Sequence, residues 1–513
     1  MASVLIAFSI LFLVYFALQH KRKKGTPFSG PPPAPIIGNL LQLPPTKVWE
    51  RLFEWGRTYG PIYQFRLFST PLLVLNTWEA GREMLDGKSA LYGNRPLPKI
   101  IEMSGFDKGV VLEHDPTRLR QARKLLHSVL QPRPLAQYRE ILEHHVDVLL
   151  HNIMHEPEGY VDHIRHLTAG IAMEISHGHR VTSRDDPFVH RANIFADNFA
   201  EASLPNNHIV DWLPFLARFP SWLPGMGFKE KARRFKEQYF SLADEGHRMV
   251  KDDIDNGVAR PSLTYKALVE GKPGEVPDDV IAFAATQVYT GGADTASLPF
   301  QKLISYVQTV STLSSFILFM VKNPDVQKKA QEEIDRIIGS NRLASFSDRD
   351  SLPYTESIIN EVLRLRPPVS VVTREAGEDD IHNGYLVEKE TVILVNFWGM
   401  LRAEEHYPDP HTFNPERWIG RERSDPTHPL NIAFGFGRRS CPGQHLAEEL
   451  VFTTVARMLA LFDIAPIKDE HGNPFIPSDD STNGGITFPV PFRCSIEPRS
   501  DRARWILEGL EHE

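Results

Sequence analysis

Long amphipathic segments dominate this chain of 513 residues. Within each of them apolar residues recur three or four positions apart, which is the spacing of one helix face. They cover residues 139–153, 229–251, 278–295, 311–321 and 325–338. Connections rich in proline and glycine separate them, as expected between helices. The sequence therefore predicts a mainly helical body.

Two short apolar runs near the start of the body have a different pattern. Residues 62–67 and 72–75 flank a Ser-Thr-Pro turn, which predicts a β-hairpin. From about residue 45 onward the composition is even, without a repeat or a linker. We expect one domain of the α+β class, mainly α with small β-sheets, over residues 45–498. A polar tail is expected at residues 499–513.

Composition excludes two classes of protein. There are 57 basic and 65 acidic residues, a formal charge of −8, and no basic stripe beyond the N-terminus. Nucleic acid is therefore excluded as a partner on electrostatic grounds. The chain has only two cysteines, Cys441 and Cys494. That is too few for the disulfide framework of a secreted protein, so a reducing compartment fits better.

The N-terminus has the pattern of a membrane anchor. Residues 2–18 carry no charge, and as a helix they would span roughly 26 Å, close to the roughly 27 Å of the endoplasmic reticulum bilayer. Four basic residues follow at 21–24 and favour a cytosolic location for the body. We predict a transmembrane anchor at residues 1–20 and a basic, proline-rich hinge at residues 21–44. A cleavable signal peptide is the alternative.

An aromatic cluster lies between two helical segments. Trp212 and Trp222 each precede Leu-Pro, and they alternate with Phe215, Phe219 and Phe228. Three interpretations stay open: contact with a membrane, the roof of a pocket, and ordinary buried core.

Cys441 has surroundings that suit a metal-binding thiolate. It lies in FGFGRRSCPG, residues 434–443, directly before an apolar helical segment at residues 444–462. The positive end of that helix would stabilise a thiolate. Gly435 and Gly437 would let a flat macrocycle approach the backbone closely, and Arg438 and Arg439 offer donors for carboxylates such as haem propionates.

Other interpretations of this run are weaker. It lacks the third glycine of a dinucleotide-binding loop, and the chain has no Gly-Lys-Ser/Thr phosphate loop. A lone cysteine is ordinarily a small buried hydrophobic residue. Further support therefore has to come from elsewhere in the sequence.

That support is a family resemblance. The run resembles the haem-binding signature of the cytochromes P-450, Phe-x-x-Gly-x-Arg-x-Cys-x-Gly, and all five positions match: Phe434, Gly437, Arg439, Cys441 and Gly443. The resemblance extends from the anchor to about residue 498. It implies the cytochrome P-450 fold, haem b as cofactor and Cys441 as the axial ligand of the iron.

Two further motifs of the family are present in the expected order. Glu361 and Arg364 match a Glu-x-x-Arg motif on a helix, and Arg417 belongs to a run FNPERW at residues 413–418. Taken alone, such a helical ion pair stabilises by only about 0.2–0.5 kcal/mol. The resemblance implies that Glu361, Arg364 and Arg417 form a buried structural network.

The sequence GGADT at residues 291–295 resembles the oxygen-side motif of the family's central helix. The resemblance assigns Asp294 and Thr295 to catalytic proton relay and Gly291 and Gly292 to the substrate pocket. Splitting dioxygen at a haem iron needs protons, and the thiolate assists the cleavage. The alternative is that Asp294 and Thr295 form an ordinary polar helix turn without a catalytic role.

Two arginines match positions that hold a haem propionate in the family. Arg374 is one, and Arg123 matches the arginine of a Trp-x-x-x-Arg motif. Leu119 stands at the tryptophan position. One propionate contact is therefore expected to be lost unless Arg120 or His114 replaces it.

The resemblance also implies partners. Gly485 and Ile486 match a stretch that lines the substrate pocket, where a mostly apolar small molecule would meet O2. Electrons would come from NADPH through NADPH-cytochrome P-450 reductase, docked near Arg438, Arg421 and Arg423; a solvated charged rim is the alternative. The pattern is similar to fungal microsomal enzymes of secondary metabolism or xenobiotic oxidation, in the endoplasmic reticulum membrane.

Residues 296–308 depart from the family pattern. Pro299 cannot donate to the carbonyl of Thr295, and thirteen extra helical residues would rotate the following face by roughly 220°. We predict that this segment bulges out or breaks the helix. We hypothesise that it is a translated intron or results from a wrong exon boundary, and sequencing the transcript would decide this.

Two functions are alternatives to a monooxygenase. One is a haem-binding membrane protein whose activity is impaired by residues 296–308, and the other is a haem-thiolate isomerase or dehydratase.

Overall fold

The computed structural model of the protein describes residues 26–181, 186–203, 208–272, 274–292, 308–339 and 342–510. The predicted anchor, Asp294, Thr295 and residues 296–307 lie outside these ranges. Within the ranges, none of the helices has both the length and the apolar character that crossing a bilayer requires.

Helices form most of the body, as predicted. Those of eight residues or more in the described ranges are α1 Val48–Tyr59, α2 Pro116–Leu130, α3 Arg139–His155, α4 Tyr160–His177, α5 Pro187–Ser203, α6 Gly227–Asp255, α7 Asp278–Gly292, α8 Gln308–Lys322, α9 Pro324–Ile337, α10 Pro353–Leu365, α11 Gln444–Leu461 and α12 Asp501–Glu508. All five amphipathic segments of the sequence correspond to helices in this series. Gln308, assigned above to the interrupting segment, is the first residue of α8.

The strands are short and come from distant parts of the chain: β1 Ile62–Leu67, β2 Thr70–Leu75, β3 Val371–Glu375, β4 Asp380–His382, β5 Tyr385–Val387, β6 Val392–Asn396, β7 Phe462–Pro466 and β8 Cys494–Pro498. The predicted hairpin is confirmed as antiparallel β1 and β2. Strand β6 adds parallel to β2, and β3 completes a four-stranded sheet in the order β1-β2-β6-β3. Two further pairs, β4 with β5 and β7 with β8, are antiparallel.

One large apolar cluster unites the helices. It extends from Ile100 to Leu507 and includes buried residues of α2 to α11. A second cluster lies between the sheet and the segment that contains Trp418 and Phe436. The helical core and the sheet therefore meet beside the loop that carries Cys441.

Both ends of the described body differ from the sequence prediction. Part of the predicted hinge is fixed to β1, because the amide of Gln64 donates to the carbonyl of Ser29 at 2.9 Å. The predicted polar tail contains helix α12, which buries Ala503 and Leu507 in the main cluster. These two residues are four positions apart and thus share one helix face, a pattern too short to stand out among charged neighbours.

Candidate functional site

The Cys441 loop is a tight, hydrogen-bonded turn in front of α11. The Cys441 amide donates to the carbonyl of Phe434 at 2.8 Å. Gly437 has φ +63°, and a Cβ at this position would lie 2.1 Å from the carbonyl oxygen of Leu85. Only glycine fits there, because both the backbone conformation and the close approach exclude a side chain. Gly443 is the N-cap of α11, so Cys441 precedes the positive end of a long helix as predicted.

Cys441 borders a cavity of about 1140 Å³. The cavity exceeds the roughly 300–1,000 Å³ of ordinary small-molecule pockets. Phe434, Gly435 and Gly443 line it on the Cys441 side. Strands β3 and β6 and the helices α1, α2, α4, α5, α6, α7, α8, α10 and α11 contribute further residues to its wall. The space therefore suffices for a large planar group and a second small molecule.

Four arginines surround the Cys441 side of the cavity: Arg95, Arg123, Arg374 and Arg439. None of them forms an ion pair with any described residue. Arg123 donates to the carbonyl of Ser440 at 3.1 Å, and Nε of Arg95 is buried with no partner among the described residues. The four positive charges are thus gathered without a protein carboxylate bound to them.

The pKa values of two of these arginines show that the clustered positive charges are unfavourable for the protein alone. Desolvation, together with repulsion from Arg95 and Arg123, lowers the pKa of Arg439 to about 10. Desolvation and the charges of Arg95 and Arg439 hold the pKa of Arg374 well below its usual range. Burying like charges together is unfavourable unless an anion compensates them. The cluster fits a bound group with two carboxylates.

The thiol of Cys441 responds to the same surroundings. Burial raises its pKa, whereas the amide of Gly443 and the charges of Arg123 and Arg95 lower it, and burial outweighs them. A metal ion binds the thiolate and displaces the proton. Cysteine, cavity, glycines and arginines together fit haem, and the site defines a haem-thiolate protein.

The structure brings Glu361, Arg364 and Arg417 together in one network. Glu361 and Arg364 are fully buried on α10 and form a bidentate ion pair with both contacts at 2.8 Å. Nε of Arg417 donates to Glu361 at 3.0 Å. The indole of Trp418 and the amide of Asn414 donate to the same carboxylate. Glu361 therefore accepts five hydrogen bonds and ties residues 414–418 to α10.

Other site residues from the sequence are placed as follows. Arg123, Arg374, Gly485 and Ile486 line the cavity, and Gly291 and Gly292 are the last two residues of α7. Arg439 lines it too, but its three nitrogens each donate to a backbone carbonyl, of Gly93, Val110 and Glu113. The catalytic assignment of Asp294 and Thr295 stays a prediction.

Neither suggested replacement for the missing tryptophan contact reaches the cavity. Arg120 is exposed, and so is His114, whose Nε2 lies 2.9 Å from the backbone carbonyl of Arg95. The residue that does line the cavity is Arg95, which the sequence analysis missed. It occurs in a loop, Asn94-Arg95-Pro96, where no periodicity marks a buried position. The only signal was an arginine inside a largely apolar stretch.

The arginines proposed for partner docking differ in availability. Arg438 is exposed. Arg423 forms a bidentate pair with the buried carboxylate of Glu448, and Arg421 pairs with Asp425 at 3.2 Å. Of the three, Arg438 is the one that faces solvent without a carboxylate partner among the described residues.

Four members of the aromatic cluster are surface residues. Trp212, Phe215 and Phe219 are 44–53% exposed and Trp222 is 78% exposed. Phe228 is buried, because it lies in the first turn of α6 and faces the core, so the interpretation as ordinary core holds for this residue. The aromatic surface is therefore defined here as Trp212, Phe215, Phe219 and Trp222.

Comparison with known proteins identifies the family. The sequence pattern of the cytochrome P450 family matches residues 28–489. Cytochrome P450 monooxygenase 105 of Postia placenta is 35% identical over 99% of this chain and 95% of its own length. Cytochrome P450 monooxygenase claR of Ampulloclitocybe clavipes is also 35% identical, over 99% and 93%. Tryptamine 4-monooxygenase of Psilocybe cyanescens is 32% identical, over 99% and 100%.

The chain belongs to the cytochrome P450 family and is a cytochrome P450 monooxygenase with haem as its cofactor. The predictions of family, enzyme class and cofactor are confirmed. So is the helical fold with small sheets.

Proposed function

We propose that the protein oxidises a mostly apolar small molecule of fungal secondary metabolism, at the endoplasmic reticulum, with O2 and electrons from NADPH. One observation carries the haem assignment: Cys441 borders a large cavity beside four arginines that have no ion-pair partner among the described residues. The fungal monooxygenases to which the chain is similar support the type of reaction, and tryptamine 4-monooxygenase is named for a small organic substrate.

Different residues of the chain have different roles in the proposed reaction. Haem supplies the iron that activates dioxygen. Cys441 would provide the thiolate, and Arg95, Arg123 and Arg374 would hold the propionates. The loop around Gly437 keeps the sulfur in front of α11. Asp294 and Thr295 would pass protons toward the oxygen side. Arg438 belongs to the surface on which an NADPH-cytochrome P450 reductase would dock.

The aromatic surface supports a membrane location. The ring of Trp212 packs on Phe68 in the β1–β2 turn, with 4.9 Å between centroids. The amide of Phe68 donates to the carbonyl of Ile37, eleven residues after the start of the described chain. Exposed aromatic side chains thus lie beside the predicted hinge, which follows the predicted anchor in the sequence. Tryptophan and phenylalanine prefer the membrane interface, so this surface would form a second membrane contact.

We expect Trp222 and Trp212 to insert into lipid. With the full chain in phosphatidylcholine vesicles, brominated acyl chains should quench its tryptophan fluorescence, and Trp212→Tyr with Trp222→Tyr should remove most of that quenching. Trp505 is 62% exposed on α12 and serves as the matched control. Trp505→Tyr should leave the quenching unchanged. Equal effects of both replacements would contradict the membrane contact.

The function itself is tested in two steps on the full chain. Reduced protein should give the thiolate-type carbon monoxide difference band. Purified reductase and NADPH should then support oxidation in a metabolite panel, with oxygen-18 from O2 in the product. A missing band would refute the haem-thiolate site. A band with conversion that needs neither NADPH nor O2 would favour an isomerase or dehydratase, and a band without any conversion would favour a protein impaired by residues 296–308.

A further inference from the structure

Most charged groups of the cavity wall are already paired with other groups of the protein. Besides the four arginines near Cys441, five charged residues of the described ranges line the cavity. Arg349 pairs with Glu356 and Glu448, Lys47 pairs with Asp480 outside the lining, and Asp211 accepts the amide of Ile100. Of these groups only Asp211 has no ion-pair partner among the described residues, because its carboxylate accepts a backbone amide alone. The described part of the wall therefore offers a cationic ligand one carboxylate and otherwise favours an uncharged molecule.

Aromatic rings form one continuous part of this wall. Phe106, Phe195, Phe199 and Tyr239 all line the cavity. The ring of Phe106 contacts the other three at centroid distances of 5.3–5.5 Å, and Phe195 stacks on Tyr239 at 4.6 Å. Because these rings support one another across two helices and a loop, they form a rigid surface. Such a surface suits a flat ligand with its own π-system.

A polar pair interrupts this aromatic wall. The hydroxyl of Tyr239 and the side-chain oxygen of Gln287 approach the same glycine: a Cβ built on Gly109 would lie 3.1 Å from the first and 2.9 Å from the second. Gly109 has an ordinary φ of −72°. An alanine there would thus be strained only by this contact. Gly109 leaves the space in which the two polar groups sit.

Tyr239 is the donor of this pair. It is 2% exposed and lines the cavity, and its hydroxyl lies against Gly109 together with the side-chain oxygen of Gln287. Burial raises the pKa of Tyr239 above its usual range, so the hydroxyl keeps its proton. A buried phenol normally finds an acceptor. A ligand oxygen in the cavity would satisfy it.

We propose that the substrate is an uncharged, planar aromatic or polycyclic molecule whose carbonyl or hydroxyl oxygen accepts a hydrogen bond from Tyr239 while its rings pack on Phe106, Phe195 and Phe199. This inference rests on the proposed haem-dependent function and names its substrate class. Tyr239 selects for the oxygen, and the phenylalanines select for the flat shape.

The test uses 9-fluorenone and fluorene, which share one flat shape and differ by a carbonyl oxygen. Equilibrium dialysis against the haem-loaded full chain gives Kd for each. A net hydrogen bond of about 1 kcal/mol corresponds to roughly fivefold tighter binding of fluorenone. Tyr239→Phe keeps the ring and should erase that preference without weakening fluorene binding. Gly109→Ala, which displaces the polar pair, should erase it as well.

Tyr160→Phe is the matched control, because Tyr160 is equally buried but lies outside the cavity lining; it should keep the preference. The proposal is overturned if wild type binds both probes equally, if Tyr239→Phe retains the preference, or if cationic tryptamine binds more tightly than fluorenone. Dialysis does not depend on the haem spectrum. Failure of the substrate class with an intact thiolate-type band is thus distinct from failure of the proposed function, in which the band itself is missing.

Discussion

Glu361→Gln is expected to lower the free energy of unfolding by about 3–5 kcal/mol, the usual cost of breaking a buried ion pair from one side. The substitution leaves Arg364, which is fully buried, without its countercharge. It also replaces one carboxylate oxygen by an amide NH2 group, which cannot accept from the surrounding donors. Since whole domains are stable by only about 5–15 kcal/mol, the loss should be severe. It should also loosen residues 414–418, which precede the Cys441 loop.

Glu416→Gln provides the matched control for this prediction. Glu416 lies one residue from Arg417, and its side chain and that of its partner Lys329 are more than half exposed. An exposed pair of this kind stabilises by about 0–1 kcal/mol. Urea denaturation followed by circular dichroism should therefore show a much lower midpoint for Glu361→Gln and little change for Glu416→Gln. Equal midpoints would show that the network is not what holds this region together.

The sequence predicted those elements whose signals are local. The β1–β2 hairpin depends on two apolar runs around one turn, and α11 depends on an uninterrupted apolar segment after Gly443. Both are present. In contrast, β6 pairs in parallel with β2 across more than three hundred residues. No pattern within either strand specifies that neighbour, because parallel pairing is decided by the packing of everything between them.

The candidate site shows the same difference between local and long-range signals. The signature around Cys441 is contiguous and could be recognised in the sequence, and so could the motifs of Glu361 and Arg417. Arg95 was missed because its role depends on a loop that brings it to Cys441 from a distant part of the chain. Tyr239 and Gln287 were missed for the same reason: on α6 and α7 they look like ordinary helical residues, and only the position of Gly109 shows that they face one space.

Cys441→Ala is expected to abolish the thiolate-type carbon monoxide band and all NADPH-dependent oxidation. An alanine methyl group offers no ligand to the iron, and the only other cysteine, Cys494, is buried in β8 rather than in the cavity lining. Cys494→Ala is therefore the matched control and should keep both the band and turnover, apart from a modest loss of stability from its smaller side chain.

In the Cys441→Ala variant, the amount of bound haem separates two roles of the site: ligation of the iron by Cys441 and binding of the propionates by the arginines. The positive charges of Arg95, Arg123 and Arg374 remain when the sulfur is removed, and they would still attract the propionates. We therefore expect Cys441→Ala to bind haem more weakly but measurably, by pyridine haemochrome assay, while its carbon monoxide spectrum loses the thiolate character. A variant without Cys441 that kept the thiolate band would disprove the assignment. If haem were lost completely, the arginines could not be a binding site in their own right, and the uncompensated charge around the cavity would need another explanation.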